Sequence, residues 1–193
     1  ACGKDIVIPS VPISEFEEEL KKIKKLLKKD SIVIDVCSVK EYPAEAMKRI
    51  LPKNVQIIAT HPMFGPDSAA GSLQGRKIVL CRVRIKNNKY EIIKKYLQEK
   101  GLVIVETTPE NHDREIAKSL VLTHFIGRAL LEFGATEREI DTQGYKRIME
   151  ILNTVKNDTW QLFEDMNLYN KYSKKMRHDF IAALNRVNGR LEK

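Results

Sequence analysis

SIVIDVCSVK, at residues 31–40, is the stretch of sequence that decides the fold. Its first six residues form a continuous run rich in β-branched side chains, which is typical of a strand buried on both faces. Similar runs predict further strands at 5–9, 55–60, 77–83 and 102–105, and helical periods predict helices at 16–29, 43–51 and 90–99. Strands that alternate with helices predict a mostly parallel sheet with helices on its faces.

The second half of the sequence has no strand pattern. One long helix is predicted at 110–133. The apolar spacing across 148–166 predicts a second helical region, and a last amphipathic helix is predicted at 173–191. The predicted fold class is therefore α/β followed by all-α. Because long helices in a unit of about 85 residues bury little surface on their own, we expect the chain to form a homodimer.

Composition narrows the classes of partner. The formal net charge is +8, but no aromatic side chains interleave with the basic ones, so nucleic-acid binding is not expected. No stretch approaches the roughly 20 apolar residues that span a bilayer, and no signal segment opens the chain. We therefore expect no membrane partner and a cytoplasmic location.

Cysteines and histidines do not predict a metal site. Cys2, Cys37 and Cys81 are odd in number and widely spaced, which favours reduced thiols over a disulfide framework or a zinc site. The four histidines have no ligand-like spacing, so no metal is predicted.

Three motifs follow predicted strands at their carboxyl ends, where ligands bind in sheets of this class. They are SVP at 10–12, CSVK at 37–40 and HPMFGP at 61–66. Two prolines and a glycine stiffen the loop after His61, so this side chain is either a general base or a loop histidine bonded to backbone. Ser38 either holds a catalytic histidine or caps the next helix.

The helical half contains further candidates with ordinary alternatives. His124 lies on the apolar stripe of the long helix, where it is either functional or a satisfied core residue, and Gly127 leaves space beside it. Arg147 and Arg128 could each clamp a carboxylate, although most helix arginines are solvated or salt-bridged. The HDR sequence at 112–114 is interpreted as structural.

Four stretches carry a family resemblance. They are VIDVCSVK at 33–40, THPMFGP at 60–66, ENHDR at 110–114 and THFIGR at 123–128. In order and spacing they resemble the prephenate/arogenate dehydrogenase family of tyrosine biosynthesis. Residues 144–170 resemble the helical dimerisation region of that family, so the resemblance covers nearly the whole chain.

The resemblance implies an oxidoreductase that uses NAD or NADP to decarboxylate prephenate and/or arogenate oxidatively. It implies a partial Rossmann-like dinucleotide-binding domain at 1–108 and a helical substrate and dimerisation domain at 109–193. In that family context His61 would accept the proton of the ring hydroxyl, and Ser38 would orient His61 and approach the nicotinamide.

Further roles follow from the same resemblance. Substrate would be bound by His124, Arg147 and Lys40, because it carries two carboxylates. The cofactor would contact Ser10, Val11 and Pro12, beside the nicotinamide ribose, together with Ser38.

The sequence departs from the family at one point. Members begin with a strand, a glycine-rich turn and a helix that binds the diphosphate, whereas residues 1–193 contain no Gly-x-Gly-x-x-Gly motif. The chain as given is therefore expected to bind cofactor weakly or not at all. The alternative hypothesis is a non-catalytic dimeric binding or regulatory module derived from the same family.

Overall fold

The computed structural model of the chain describes residues 3–65 and 69–192. The chain divides into two compact units, Ala1–Asp113 and Arg114–Lys193. Cys2, and Pro66 of the motif at 61–66, lie outside the described residues. The assignment of 1–108 to nucleotide binding and 109–193 to substrate binding and dimerisation stays a prediction.

The first unit contains a five-stranded sheet in the order β1-β2-β3-β4-β5. The strands are β1 (Ile6–Val7), β2 (Ile32–Asp35), β3 (Gln56–Pro62), β4 (Lys77–Arg84) and β5 (Val103–Glu106). Neighbouring strands run parallel except for the pair β3 and β4, which is antiparallel. The predicted mostly parallel sheet is confirmed.

Helices of the first unit pack against the sheet through their apolar side chains. A 3₁₀ turn at Ile13–Glu15 leads into α1 (Phe16–Ile23), which is followed by α2 (Glu41–Ile50) and α3 (Asn87–Glu99). α2 packs against β3, and α3 packs against β5. One core cluster joins strand and helix side chains: Ile32, Ile34, Ile58, Ile78, Leu80, Tyr90 and Leu102.

Two predictions for the start of the chain need correction. α1 ends at Ile23 rather than near residue 29, and the chain then turns at Asp30, whose φ is +60°. The strand predicted as buried at 5–9 is exposed, with Ile6 at 46% and Ile8 at 53% of full exposure. Within the described residues β1 pairs only with β2, so it forms an edge of the sheet.

The second half is helical, as predicted. α4 (Pro109–Ile116) is followed by a π-helical turn (Ala117–Val121) and by α5 (Leu122–Glu132), where the sequence predicts one uninterrupted α-helix. The helical region predicted across 148–166 is two helices, α6 (Gln143–Val155) and α7 (Trp160–Leu168). It divides because the Thr159 hydroxyl accepts a hydrogen bond from the Leu162 N–H and starts a new helix.

The last helix is α8 (Ser173–Asn188). Inside the second unit α5 packs closely on α6, because Gly127 brings the two backbones together. A Cβ at this position would lie 2.5 Å from Val155 Cγ2 and 3.2 Å from the Ile151 carbonyl oxygen. The space that the sequence reserves beside His124 is thus filled by a neighbouring helix. In the described part of the chain, no helix is both long and apolar enough to cross a membrane.

Candidate functional site

The strand register brings the three predicted motifs to one edge of the sheet. β1, β2 and β3 run parallel, with Ile6 level with Ile32 and Asp35 level with Ala59. Residues 10–12 and 37–40 therefore follow β1 and β2 on the side where β3 ends, and His61 is the last residue but one of β3. Sheets of this class bind ligands on that side.

His61 is held by a second histidine. Its ring is 5% exposed, and its Nδ1 lies 2.9 Å from Nε2 of His112. The two rings meet edge to face, with centroids 5.1 Å apart. The alternative that His61 is a loop histidine bonded to backbone through this nitrogen is therefore wrong.

The contact continues from His112 to the start of α2. Asp113 Oδ1 lies 2.7 Å from His112 Nδ1 and accepts a 2.7 Å hydrogen bond from the Lys40 N–H. Its Oδ2 accepts from the Glu41 N–H at 2.9 Å. Asp113 thus supplies the side-chain cap of α2 from 72 residues along the chain, and negative charge at a helix N-terminus is stabilising.

Local sequence explains why these two residues reach the site. Thr108 accepts a hydrogen bond from the Asn111 N–H at 3.2 Å, and Pro109 is the first residue of α4. A hydroxyl cap followed by proline is a typical helix start. It places His112 and Asp113 near the beginning of α4, directly after β5.

The interpretation of 112–114 as structural missed this arrangement. His112 and Asp113 are 3% and 1% exposed. A histidine and an aspartate rarely lie so deep without a partner. The available signal was the ENHDR stretch itself, which forms part of the family resemblance, but sequence spacing does not show that His112 contacts a residue 51 positions away.

Lys40 does not fit its predicted role in substrate binding. It is completely buried, and its ammonium group is bound by the Asp35 carboxylate and by the Thr60 carbonyl oxygen. Asp35 also accepts hydrogen bonds from the Cys37 and Thr60 N–H groups, at 3.0 and 3.2 Å. The ammonium group holds the ends of β2 and β3 together and is not available to a ligand.

Burial and charge set the protonation of these groups. Burial raises the pKa of Asp35, and the Lys40 ammonium opposes that shift. Burial is also the largest cause that lowers the pKa of His61 well below its usual value, followed by the nearby Lys40 charge and by His112. A neutral imidazole at neutral pH is the state in which His61 can accept a proton.

Ser38 has neither of its predicted partners. Its buried hydroxyl oxygen has no hydrogen-bond partner, so it does not bond His61 in this structure. Nor does it cap α2, since Asp113 binds the N–H groups of Lys40 and Glu41. A buried hydroxyl without a partner, at the ligand-binding edge of the sheet, fits a group that would bond a ligand.

Ser10, Val11 and Pro12 lie on the same edge, after β1. Ser10 and Pro12 are exposed and Val11 is half-buried, so all three are accessible to a ligand. Their contact with a nicotinamide, together with Ser38, stays a prediction. The sequence contains no glycine-rich loop for its diphosphate end.

In the second unit His124 is buried and incompletely bonded. Its Nδ1 lies 3.5 Å from Asp158 Oδ2, but no partner of this nitrogen meets hydrogen-bond geometry. Burial lowers the pKa of His124, Asp158 opposes the shift, and Arg128 adds to it. The alternative of a satisfied core histidine is therefore not supported at this nitrogen.

The two arginines of this unit differ. Arg128 binds the carbonyl oxygens of Asp158 and Thr159 and lies 4.9 Å from the centre of the Trp160 ring, so it joins α5 to the start of α7. These contacts use Nη2 of Arg128, while its buried Nε has no hydrogen-bond partner, so its role as a carboxylate clamp stays a prediction. Arg147, on α6, is exposed.

The described cysteines and the potential metal ligands can be examined in the same way. Cys37 and Cys81 are buried, and burial raises the pKa of Cys81 to about 12. Cys81 is therefore a neutral core thiol rather than a nucleophile. Across residues 3–65 and 69–192, no three histidine, cysteine, aspartate or glutamate side chains are arranged to hold a metal ion.

Known proteins resemble this chain along both units. The family model "Prephenate dehydrogenase, nucleotide-binding domain" matches residues 1–106. A second model, "TYRAAT1-like, C-terminal domain", matches residues 129–193.

Two curated relatives align over most of the chain. Arogenate dehydrogenase 2, chloroplastic, from Arabidopsis thaliana is 33% identical over 86% of this chain and 48% of the relative. A probable arogenate/prephenate dehydrogenase from Methanocaldococcus jannaschii is 30% identical over 95% of this chain and 43% of the relative. The chain thus spans less than half the length of these two proteins.

Solved structures share the fold. Prephenate dehydrogenase from A. aeolicus, in complex with hydroxyphenyl propionate and NAD+, superimposes with a TM-score of 0.74 at 25% identity, over 96% of this chain and 68% of that one. Synechocystis arogenate dehydrogenase superimposes with a TM-score of 0.71 at 21% identity, over 97% and 71% of the two chains.

Proposed function

Because this chain belongs to the prephenate dehydrogenase family, we propose that it contains the catalytic base of an oxidoreductase that uses NAD or NADP to decarboxylate prephenate or arogenate oxidatively. One observation carries the proposal: His61 is a buried histidine with a depressed pKa, fixed by His112 at the ligand-binding edge of the sheet. The names of the relatives supply the substrate class.

The chemistry that we propose for His61 is the removal of one proton. A bound nicotinamide would supply the hydride acceptor. His61 would accept the proton of the ring hydroxyl, so that the oxygen forms a carbonyl as the ring carbon is oxidised. Loss of the ring carboxylate as carbon dioxide then makes the ring aromatic. A base positioned in this way contributes about 10²- to 10⁴-fold to a rate.

Other side chains of this chain would bind and orient. The unpartnered Ser38 hydroxyl and the accessible residues Ser10, Val11 and Pro12 support a nicotinamide site at the end of β1 and β2. His124 and Arg147 stay predicted substrate contacts; Lys40 does not, because its ammonium group is already bound.

We also propose that the chain acts as a homodimer through its helical unit. That unit leaves large apolar side chains in solvent, among them Phe133 at 84%, Ile140 at 96% and Leu168 at 75% exposure. α8 adds Ile181, Leu184 and Val187, spaced three residues apart on one side of the helix. Such exposure is unusual for a monomer.

Light scattering after gel filtration measures the mass of the protein in solution and so tests the proposed homodimer. A monomer at micromolar concentration contradicts it. The expected cytoplasmic location stays a prediction.

Turnover by His61→Asn tests the central proposal. The protein expressed from its complete natural reading frame is assayed with prephenate and with arogenate, each with NAD and NADP. We expect His61→Asn to lower kcat by at least about 10²-fold with little change in KM. His178→Asn is the matched control, because His178 is an exposed histidine on α8.

Two outcomes contradict the proposal in different ways. Unchanged turnover in His61→Asn removes His61 from the role of base. Tight binding of substrate without turnover under any of the four conditions favours the alternative of a non-catalytic binding or regulatory module.

A further inference from the structure

We propose that His112 and Asp113 are positioning residues that fix the tautomer of His61, with hydrogen on Nδ1 and the lone pair on Nε2. The inference rests on the proposed function of His61 as a base, and it adds two residues to the machinery of that base. Each step follows from which groups can donate and which can only accept.

The first step is Asp113. Its Oδ2 accepts from the Glu41 N–H, and its Oδ1 accepts from the Lys40 N–H while lying 2.7 Å from His112 Nδ1. Both backbone groups are donors, and the proposal assigns to Asp113 the ionised, acceptor-only carboxylate that suits them. The nitrogen of His112 that faces Asp113 must therefore carry hydrogen.

The second step is His112. A neutral imidazole has one donor nitrogen and one acceptor nitrogen. The proposal takes His112 as neutral, so that with hydrogen on Nδ1 its Nε2 is an acceptor. It lies 2.9 Å from His61 Nδ1, and a short contact between two ring nitrogens requires a donor on one side.

The third step is His61. Its Nδ1 must donate to His112, and so its Nε2 carries the lone pair in the neutral state. The tautomer of a histidine is set by the hydrogen bond that its other nitrogen makes. In the reaction, the substrate proton moves to Nε2, and the resulting imidazolium keeps its Nδ1 hydrogen bond to His112.

The surroundings keep the arrangement in one state. All three side chains are at most 5% exposed, so water does not compete for their hydrogen bonds. Asp113 is itself fixed by the first turn of α2. A histidine side chain in water, in contrast, prefers the tautomer with hydrogen on Nε2, which is useless to a base that acts through that atom.

Nitrogen NMR tests the tautomer without substrate or cofactor. In protein labelled with ¹⁵N-histidine, two-bond ¹H–¹⁵N correlations distinguish a protonated ring nitrogen from one with a lone pair. Assignment uses single histidine variants. Above the pH at which His61 titrates, we expect a protonated Nδ1 and a lone pair on Nε2. A protonated Nε2 in His61, or two protonated nitrogens in His112, overturns the inference.

Two variants of His112 test the positioning role. His112→Leu removes the acceptor, so the His61 signals should move toward the other tautomer and kcat should fall about 10²-fold with little change in KM. His112→Gln keeps an amide oxygen to accept from His61 and an amide N–H to donate to Asp113, so it should recover most of the loss. Near-ultraviolet circular dichroism verifies that both variants fold, and His178→Leu is the control for substitution of a histidine.

The two readouts separate failure of the inference from failure of the proposed function. Equal kcat values for His112→Leu and His112→Gln overturn the positioning role. The expected tautomer in a folded protein that converts neither prephenate nor arogenate contradicts the proposed function and leaves the geometry of the three residues intact.

Discussion

The two units hold their buried histidines differently. In the first unit His61 contacts His112 and His112 contacts Asp113, while the ammonium group of Lys40 is paired with Asp35. In the second unit His124 Nδ1 and Arg128 Nε are buried without a hydrogen-bond partner. The helical unit also exposes large apolar side chains such as Ile140.

The difference is whether a buried polar group already has its hydrogen-bond partner within the protein. His61, the proposed base, is held in place by its contact with His112, so it would need little rearrangement before it acts. Buried polar atoms without partners have a desolvation cost, and they are found where a ligand or another chain supplies the missing bond. Ser38 is the corresponding case in the first unit, since its hydroxyl is buried and unpartnered beside the bonded groups.

The largest expected loss of folding stability comes from removing the Lys40 ammonium group, which is paired with Asp35. Lys40→Met leaves Asp35 buried without its cation, and removal of one partner of a buried ion pair costs about 3 kcal/mol or more. We expect urea unfolding to show a loss of this size. Asp35→Leu combined with Lys40→Met should recover much of it, because the unpaired charge is gone.

The control is an exposed ion pair of similar geometry. Lys175 lies 2.7 Å from Asp179 on the surface of α8, where such pairs contribute little. Lys175→Met should leave the urea midpoint nearly unchanged. A loss in Lys40→Met no greater than that of the control would contradict the importance assigned to the buried pair.

A smaller loss of stability is expected where α5 packs on α6, and it tests whether the helical unit is tightly packed despite its exposed apolar side chains. In Gly127→Ala the new methyl would meet Val155 and the Ile151 carbonyl oxygen, and overpacking of this kind costs about 1–3 kcal/mol. Gly144→Ala is the matched control, because its nearest neighbour to a Cβ is Thr142 Oγ1 at 3.7 Å. Val155→Ala in the Gly127→Ala background should restore part of the stability. Equal stability of the two alanine variants would show that α5 and α6 separate easily.

The sequence predicts most of the sheet because its signals are local. The β-branched run at 31–36 becomes β2, and the strand register alone brings His61 to the same edge as Ser38. Lys40 was wrongly assigned because lysine is rarely buried, and only the fold reveals the paired carboxylate of Asp35. His112 was missed for a related reason: its contact with His61 depends on tertiary geometry.

The helical unit was predicted less well in detail. Apolar spacing across 110–133 does not distinguish an α-helix from one with a π-helical turn, because a single wider turn shifts the apolar stripe only slightly. The break at Thr159 was missed because a threonine cap inside an apolar pattern is a weak signal.

The smallest expected effect is a pH dependence that differs between the histidines of the two units. Burial holds the pKa of His61 in the folded state well below the usual value of 6.5, so the unfolded chain binds the proton first as pH falls. Folded stability is therefore complete above about pH 6.5 and decreases below it, by at most about 1.4 kcal/mol per pH unit for one proton. For His124 the shift has the same sign, but the Asp158 charge opposes it. Urea unfolding at pH 7.5, 6.5 and 5.5 should accordingly show a weaker pH dependence in His61→Asn than in His124→Asn. The reverse order would mean that the pKa of His61 is depressed less than that of His124, and the depressed pKa would then no longer support His61 as the base.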